Sequence, residues 1–412
     1  MGIFLLLAAC SSNDNDDPPP TATNPPAEDT SAPVVAWVEG GNLFIWQTGL
    51  PRRIASGAVI RPYLAPDGAW VAYLRGPGGD PRSLWISDSA GSAERQLVVT
   101  DQLAAEDESQ NEPRRIGQVV WSRRAARLYF NTLVGNGMST RPADDLWRVD
   151  INTGTLERIL PDGEGGQIFA APDGGHLALA SAGQYDDTPA QIAFLNLDTR
   201  RRTVMLQYPA VATASESRWY PALRWLPNST GAMVAIPPPD LVYGGVDLAT
   251  ALWWLPVDSN AVERDAVQRG QVNADYFGLP TFSADGQWLL YAEQRSAPTA
   301  TTVTWNVAQS DGTAPQKVIS GELATLTAPR WLPAGAHFSL LTGDNWLLAH
   351  PGGEPAPLVS ATGQPSELRW ADGETYVLVT ASGLTWGRLD EAPQPITTLE
   401  AFPLLDAVIE QR

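Results

Sequence analysis

Cysteine, histidine and lysine are nearly missing from this sequence: 412 residues hold one cysteine, three histidines and a single lysine, Lys317. One cysteine closes no intrachain disulfide and builds no multi-cysteine metal site, and three histidines leave a zinc centre few ligands. No metal and no cofactor is therefore expected. Basic side chains are outnumbered, with Lys+Arg 27 against Asp+Glu 46 and a net charge of −19. A nucleic-acid backbone or an anionic lipid surface is repelled over most approaches, so neither is expected as a primary partner, and the acidic surface favours cationic, neutral-sugar or protein ligands. Long helical runs are lacking as well. Glycine (36) and proline (35) together interrupt the chain about every six residues, a spacing that suits short strands and turns rather than a helical bundle.

What is present begins with a short apolar run, Ile3 to Ala9, that ends in Leu7-Ala8-Ala9-Cys10 and is followed by Ser11-Ser12. The run is too short to cross a bilayer. It resembles a bacterial lipoprotein signal, and the resemblance implies that Cys10 becomes the lipidated first residue of the mature chain, anchoring it through several acyl chains. Met1-Gly2-Ile3-Phe4 carries no positive n-region, which points to a start further upstream. Leu6 excludes a myristoylation signal at Gly2. The expected organisation is a signal over 1–10, a polar, proline-rich tether over 11–33 with little to bury, and one folded domain over 34–412. Localisation in the cell envelope follows, with the membrane touched only through the lipid.

The folded part repeats itself. Eight short segments carry an aromatic residue near their middle, from Leu43-Phe44-Ile45-Trp46 and Ser83-Leu84-Trp85-Ile86 to Asn345-Trp346-Leu347-Leu348 and Leu384-Thr385-Trp386-Gly387. Ahead of each stands a second apolar segment, such as Val71-Ala72-Tyr73 or Tyr376-Val377-Leu378. Seven of these follow a turn signature, as in Ala65-Pro66-Asp67-Gly68, Ala171-Pro172-Asp173-Gly174, Trp225-Leu226-Pro227-Asn228 and Trp370-Ala371-Asp372-Gly373. Proline sets φ for entry to the turn and glycine accepts a positive φ, so each signature joins a first strand to a second. With a fourth strand after the third, as at Glu94-Arg95-Gln96-Leu97, the unit is a propeller blade.

Leu64 to Leu97 carries the fullest copy, and the pattern resembles the TolB-like, WD-repeat-like β-propeller unit. The resemblance implies an all-β fold of four-stranded antiparallel blades and, because TolB works in an envelope complex, a protein partner. Eight blades follow from the count, with seven as the alternative because the units near Leu326 and Glu367 are compressed. The first unit lacks its first strand, while Leu404-Leu405-Asp406-Ala407-Val408-Ile409 is left over at the other end. The tail is expected to supply that strand and to close the ring, removing edges that would otherwise aggregate.

Catalytic signatures are absent. There is no G-x-S-x-G and no H-E-x-x-H, and eight units leave no residues for a hydrolase domain. His176, His337 and His350 read as polar edges of packed strands, the Asp-Gly pairs as turns rather than calcium loops, and the sixteen tryptophans as wedges between sheets. A non-catalytic scaffold binding an envelope protein or a small-molecule or glycan ligand is expected; the alternative is a propeller enzyme acting on glycans at the central mouth.

Loop length suggests where binding occurs. Connections between strands two and three are long at Asn131 to Asp144, Ser181 to Ala190 and Pro237 to Thr250, but short at Glu39 to Asn42 and Thr380 to Gly383. They emerge on the same face as the interblade links, which carry acidic residues at Asp101, Glu106, Asp107 and Glu108. Loops on a rigid scaffold concentrate binding residues. The candidate site is a pocket at the rim or mouth of this face lined by Tyr185, Asp186, Asp187, Arg218, Trp219, Tyr220, Tyr243 and Tyr276.

Overall fold

The computed structural model describes residues 32–103, 113–135, 140–183, 188–213, 217–243, 249–258, 260–295, 300–343, 345–359, 365–381, 383–400 and 403–408. Cys10, the rest of the signal and residues 11–31 of the tether lie outside the described residues, as do Glu106, Asp107 and Glu108. The strands form eight antiparallel sheets of four strands, one of them with an added two-residue strand, Arg141–Pro142. The fold is an eight-bladed β-propeller. Blades are numbered here from 1 to 8 and the strands of each blade from the axis outward.

Blade 2 serves as the template, with strands Val59–Leu64, Trp70–Arg75, Ser83–Asp88 and Arg95–Val99. Its first turn is held by the Gly68 N–H donating to the Ala65 carbonyl (2.9 Å) and by Asp67 Oδ1 accepting from the Ala69 N–H (3.0 Å). Gly68 has φ +68°, which explains the glycine. The same arrangement recurs at Asp173 and Asp285, so these Asp-Gly pairs are turn formers. The compressed units are complete blades: Arg330–Trp331, Phe338–Thr342, Asn345–Ala349 and Ala356–Val359 form blade 7, and Pro365–Trp370, Thr375–Thr380, Gly383–Arg388 and Gln394–Thr397 form blade 8. The seven-bladed alternative does not hold.

Central strands are covered on both faces and read as unbroken apolar runs; every residue of Gly231–Ile236 is buried. The apolar side chains sort into eight clusters, each lying between two neighbouring blades. Ile192, Phe194, Met205, Trp225 and Val234 fill the wedge between blades 4 and 5, and Leu332, Trp346, Leu368 and Tyr376 that between blades 7 and 8.

One irregularity is common to all blades. The pairing of strands three and four shifts register once, at Leu43/Phe44, Leu84/Trp85, Leu146/Trp147 and Ile192/Ala193 in blades 1 to 4. It recurs at Leu252/Trp253, Trp305/Asn306, Trp346/Leu347 and Leu384/Thr385 in blades 5 to 8. This bulge marks equivalent positions. The aromatic residue of the repeat does not: Phe44, Trp85, Trp147 and Trp253 follow the bulge directly, Trp305 and Trp346 precede it, and Trp386 lies one residue beyond.

The ring closes through the tail. Leu404–Val408 is the innermost strand of blade 1 and pairs antiparallel with Val34–Glu39, Ala36 opposite Asp406 and Val35 opposite Ala407. Asp406 extends the latch sideways, with Oδ2 accepting from the Leu64 N–H of blade 2 (3.0 Å) and Oδ1 from Arg369 of blade 8 (3.3 Å). Elsewhere tryptophan indoles pin neighbouring inner strands. Trp121 donates to the Tyr63 carbonyl (2.9 Å), Trp225 to that of Phe169 (3.0 Å) and Trp331 to that of Thr281 (2.9 Å).

Two expectations follow. Asp406→Ala leaves the Leu64 amide and Arg369 without their acceptor and should cost about 1–3 kcal/mol, read as a lowered midpoint in calorimetry. Trp225→Phe keeps a ring in the wedge but orphans the Phe169 carbonyl, and should cost about 1–2 kcal/mol in the same measurement.

Candidate functional site

The loop that joins strands Arg127–Val134 and Leu146–Asp150 of blade 3 ends in two consecutive aspartates, Asp144 and Asp145, both buried at 4% and 0% exposure. Asp144 has φ +53°, a left-handed conformation that aspartate tolerates better than most residues. Gly165 lets the following link approach: its N–H donates to the Asp144 carbonyl at 2.6 Å, and a Cβ there would stand 2.2 Å from the Asp145 carbonyl oxygen.

The two carboxylates have different partners. Asp145 is enclosed by its own blade, accepting from the Thr132 N–H (2.7 Å), the Thr132 hydroxyl (2.6 Å), the Trp147 indole (2.6 Å) and Arg114 (3.2 Å). Arg114, itself buried, continues to Asp162 at 2.9 Å. Asp144 instead collects groups from elsewhere in the chain. Its Oδ1 accepts from the Tyr220 hydroxyl (2.7 Å), its Oδ2 from Arg218 (3.3 Å), and the Ala182 N–H of blade 4 also donates to it. Burial raises the Asp144 carboxyl above the usual aspartate range, although Tyr220 and Arg218 pull the other way. Behind them Tyr208 lies edge-on to Trp219, ring centroids 6.3 Å apart. The Tyr208 hydroxyl is buried with no hydrogen-bond partner among the described residues, and burial together with the nearby Asp144 charge raises its pKa.

Of the residues expected at the site, Arg218 and Tyr220 therefore converge on one buried carboxylate, with Trp219 packed beside them against Tyr208. Tyr276 stands in a different group, edge-on to Phe277, whose ring lies under Arg295, itself paired with the buried Asp275 at 2.8 Å. Tyr243 ends a short turn, Leu241–Tyr243, with 71% of its surface exposed. Tyr185, Asp186 and Asp187 lie outside the described residues. Sequence reasoning missed Asp144, Asp145 and Arg114; the signal available was the Asp-Asp pair directly before a strand, a costly placement unless partners are supplied. Two clefts open near blade junctions. One of about 410 Å³ includes Trp70, Trp121 and Arg124, and one of about 520 Å³ includes His176, Arg201 and Met205. Among the described residues no group of three or more metal-ligating side chains occurs.

No family model and no curated sequence matches the chain. Solved structures match it by fold. A eukaryotic initiation factor aligns over 92% of this chain and 98% of its own, at 11% identity and TM-score 0.53. An oligogalacturonate lyase in complex with manganese aligns over 77% and 81%, at 15% identity and TM-score 0.48. TolB from Acinetobacter baumannii aligns over 71% and 65%, at 15% identity and TM-score 0.35. At these identities the likeness concerns the fold alone. The expectation of a non-catalytic chain is corrected here: enzymes, an oligogalacturonate lyase among them, stand among the propellers that match, and the missing hydrolase and zinc motifs do not decide whether the chain is catalytic.

Tyr220→Phe removes one donor from a buried, charged acceptor and should cost about 1–3 kcal/mol at neutral pH. The raised Asp144 pKa fixes the sign of the pH dependence. Above it the buried charge opposes folding and needs Tyr220, whereas below it the carboxyl is neutral and the lost bond matters less. Midpoints of the two proteins should thus converge as pH falls through the acid range above the ordinary aspartate value, measured by thermal unfolding at a series of pH values.

Proposed function

We propose that this chain is a lipid-anchored cell-envelope protein whose TolB-like propeller is a binding platform for a protein partner, engaged through the face that bears the long two-three loops and the interblade links. The observation that carries the reading is the convergence on Asp144. A loop of blade 3, the start of a loop in blade 4 and the link from blade 4 to blade 5 are tied to one buried carboxylate, which makes a stiff surface out of segments that are usually mobile. In other loops and links of this face large apolar side chains remain in water: Phe277 is 60% exposed and Tyr243 71%. Exposed aromatic groups on a preorganised surface are the usual anchors of a protein interface. The signal-like run ending in Cys10 supports envelope anchoring.

The test uses the full-length, lipidated chain crosslinked in intact envelopes and purified after solubilisation. One stoichiometric protein partner is expected, retained by the wild type and reduced about tenfold or more in the Tyr243→Ser, Phe277→Ser double variant. In parallel, Cys10→Ser should move the chain from the membrane fraction to the soluble fraction. A partner that is held equally by the double variant would overturn the platform reading, and a membrane fraction unchanged by Cys10→Ser would overturn the anchor.

A further inference from the structure

The bulge common to all blades identifies one register-equivalent residue in each innermost strand: the partner, through strand two, of the second residue past the bulge. In blades 5, 7 and 8 it is arginine: Arg224, Arg330 and Arg369. In blades 2, 3 and 4 it is Tyr63, Val120 and Phe169. Asp406 and Thr281 complete the ring in blades 1 and 6. All eight are at least partly exposed, while the flanking Pro62 and Leu64, Leu223 and Trp225, and Leu368 and Trp370 are buried. Blade faces pack against one another, so an exposed side chain on an innermost strand is exposed toward the axis.

Hydrogen bonds agree with that placement. Arg224 of blade 5 reaches the Pro333 carbonyl of blade 7 at 3.3 Å, a contact that skips blade 6 and puts the guanidinium near the mouth formed by the first turns. Arg369 crosses to Asp406 on blade 1. Arg330 has no hydrogen-bond or ion-pair partner among the described residues, and Arg61, two residues before Tyr63, has only a stacking contact with that ring at 5.6 Å. The turn aspartates at this mouth, Asp67, Asp173, Asp285 and Asp372, each accept N–H groups of their own turns. Opposite blades of an eight-membered ring face each other, so Val120 looks across at Arg330 and Phe169 at Arg369.

We infer that the axial channel is a binding site for an amphipathic anion, a flat or apolar body carrying a carboxylate, sulfate or phosphate, with the anionic group on the Arg330 side and the body against Tyr63, Val120 and Phe169. In a chain of net charge −19, an arginine left unpaired beside two others indicates a counter-charge that comes from outside. An apolar arc facing a cationic one selects for both halves of the ligand, since a free inorganic anion leaves the aromatic side unfilled. The inference concerns the axis and stands independently of the loop-face reading.

Calorimetric titration of the full chain at low ionic strength tests it with three probes: naphthalene-2-sulfonate, the neutral 2-naphthalenemethanol and inorganic sulfate. The sulfonate is expected to bind one to one, with each of the other two weaker by about tenfold or more. Arg330→Gln should weaken sulfonate binding by about tenfold with an unchanged melting midpoint, because Arg330 is exposed and unpartnered. Arg53→Gln, which removes an exposed charge on the outer strand of blade 1, should leave binding as it was. Equal binding by wild type and Arg330→Gln, an equal loss in Arg53→Gln, or sulfate binding as tightly as the sulfonate would each overturn the proposal.

Discussion

Among the described residues no ladder hydrogen bond joins one blade to the next, so the ring depends on the contacts between sheets, above all on the latch that the tail makes in blade 1. Eight wedges of apolar side chains supply the attraction, but attraction between two greasy faces is non-directional and does not by itself fix how far one sheet slides along another. Directional bonds near the axis do. The tryptophan-to-carbonyl pairs join blades 3 to 2, 5 to 4 and 7 to 6, and Asp406 spans from blade 8 to blade 2 across the blade it completes. One strand thus serves as the last member of a sheet, the cover of an exposed edge and the clasp between its neighbours.

Much of this was legible in the amino-acid order because the turn chemistry is local. Asp67-Gly68 specifies a tight turn whatever surrounds it, and repeated at intervals it reveals blades; the unmatched tail at Leu404 then has only one vacancy to fill. What could not be read was register. The aromatic residue that marks strand three drifts by a residue on either side of the bulge, from Trp305 before it to Trp386 beyond it, so aligning blades 6, 7 and 8 on their tryptophans misplaces their side chains by a position. A slip of one residue exchanges the two faces of a strand. The axial ring of Arg224, Arg330 and Arg369 emerges only when blades are aligned on backbone pairing.

The loop face was partly legible for a related reason. Arg218 and Tyr220 stood out as a polar-aromatic pair in a link, yet the group they serve, Asp144, is 76 residues from Tyr220 and looked like the polar end of a loop. A buried carboxylate without donors is prohibitively costly, so two in succession require an answer from the surrounding chain. Asp145 finds it within its own blade through Thr132, Trp147 and Arg114, which leaves Asp144 to recruit the link and blade 4. Division of labour between adjacent residues converts a local cost into a long-range tie.

Charge is distributed unevenly between surface and axis. An excess of 19 negative charges makes the exterior broadly repel anions, and composition alone therefore argues for cationic or neutral ligands. Composition averages over position, whereas a ligand meets only the groups that line its route. Inside a narrow passage with low-dielectric walls, field lines from a few arginines are confined and their effect on an entering anion exceeds what the same charges exert on an open surface. The ring holds three arginines against one aspartate, and that aspartate is already engaged by Arg369 and the Leu64 amide. At the level of this ring arginine thus outnumbers aspartate, in a molecule that is acidic as a whole and carries aspartates in the turns of the same mouth.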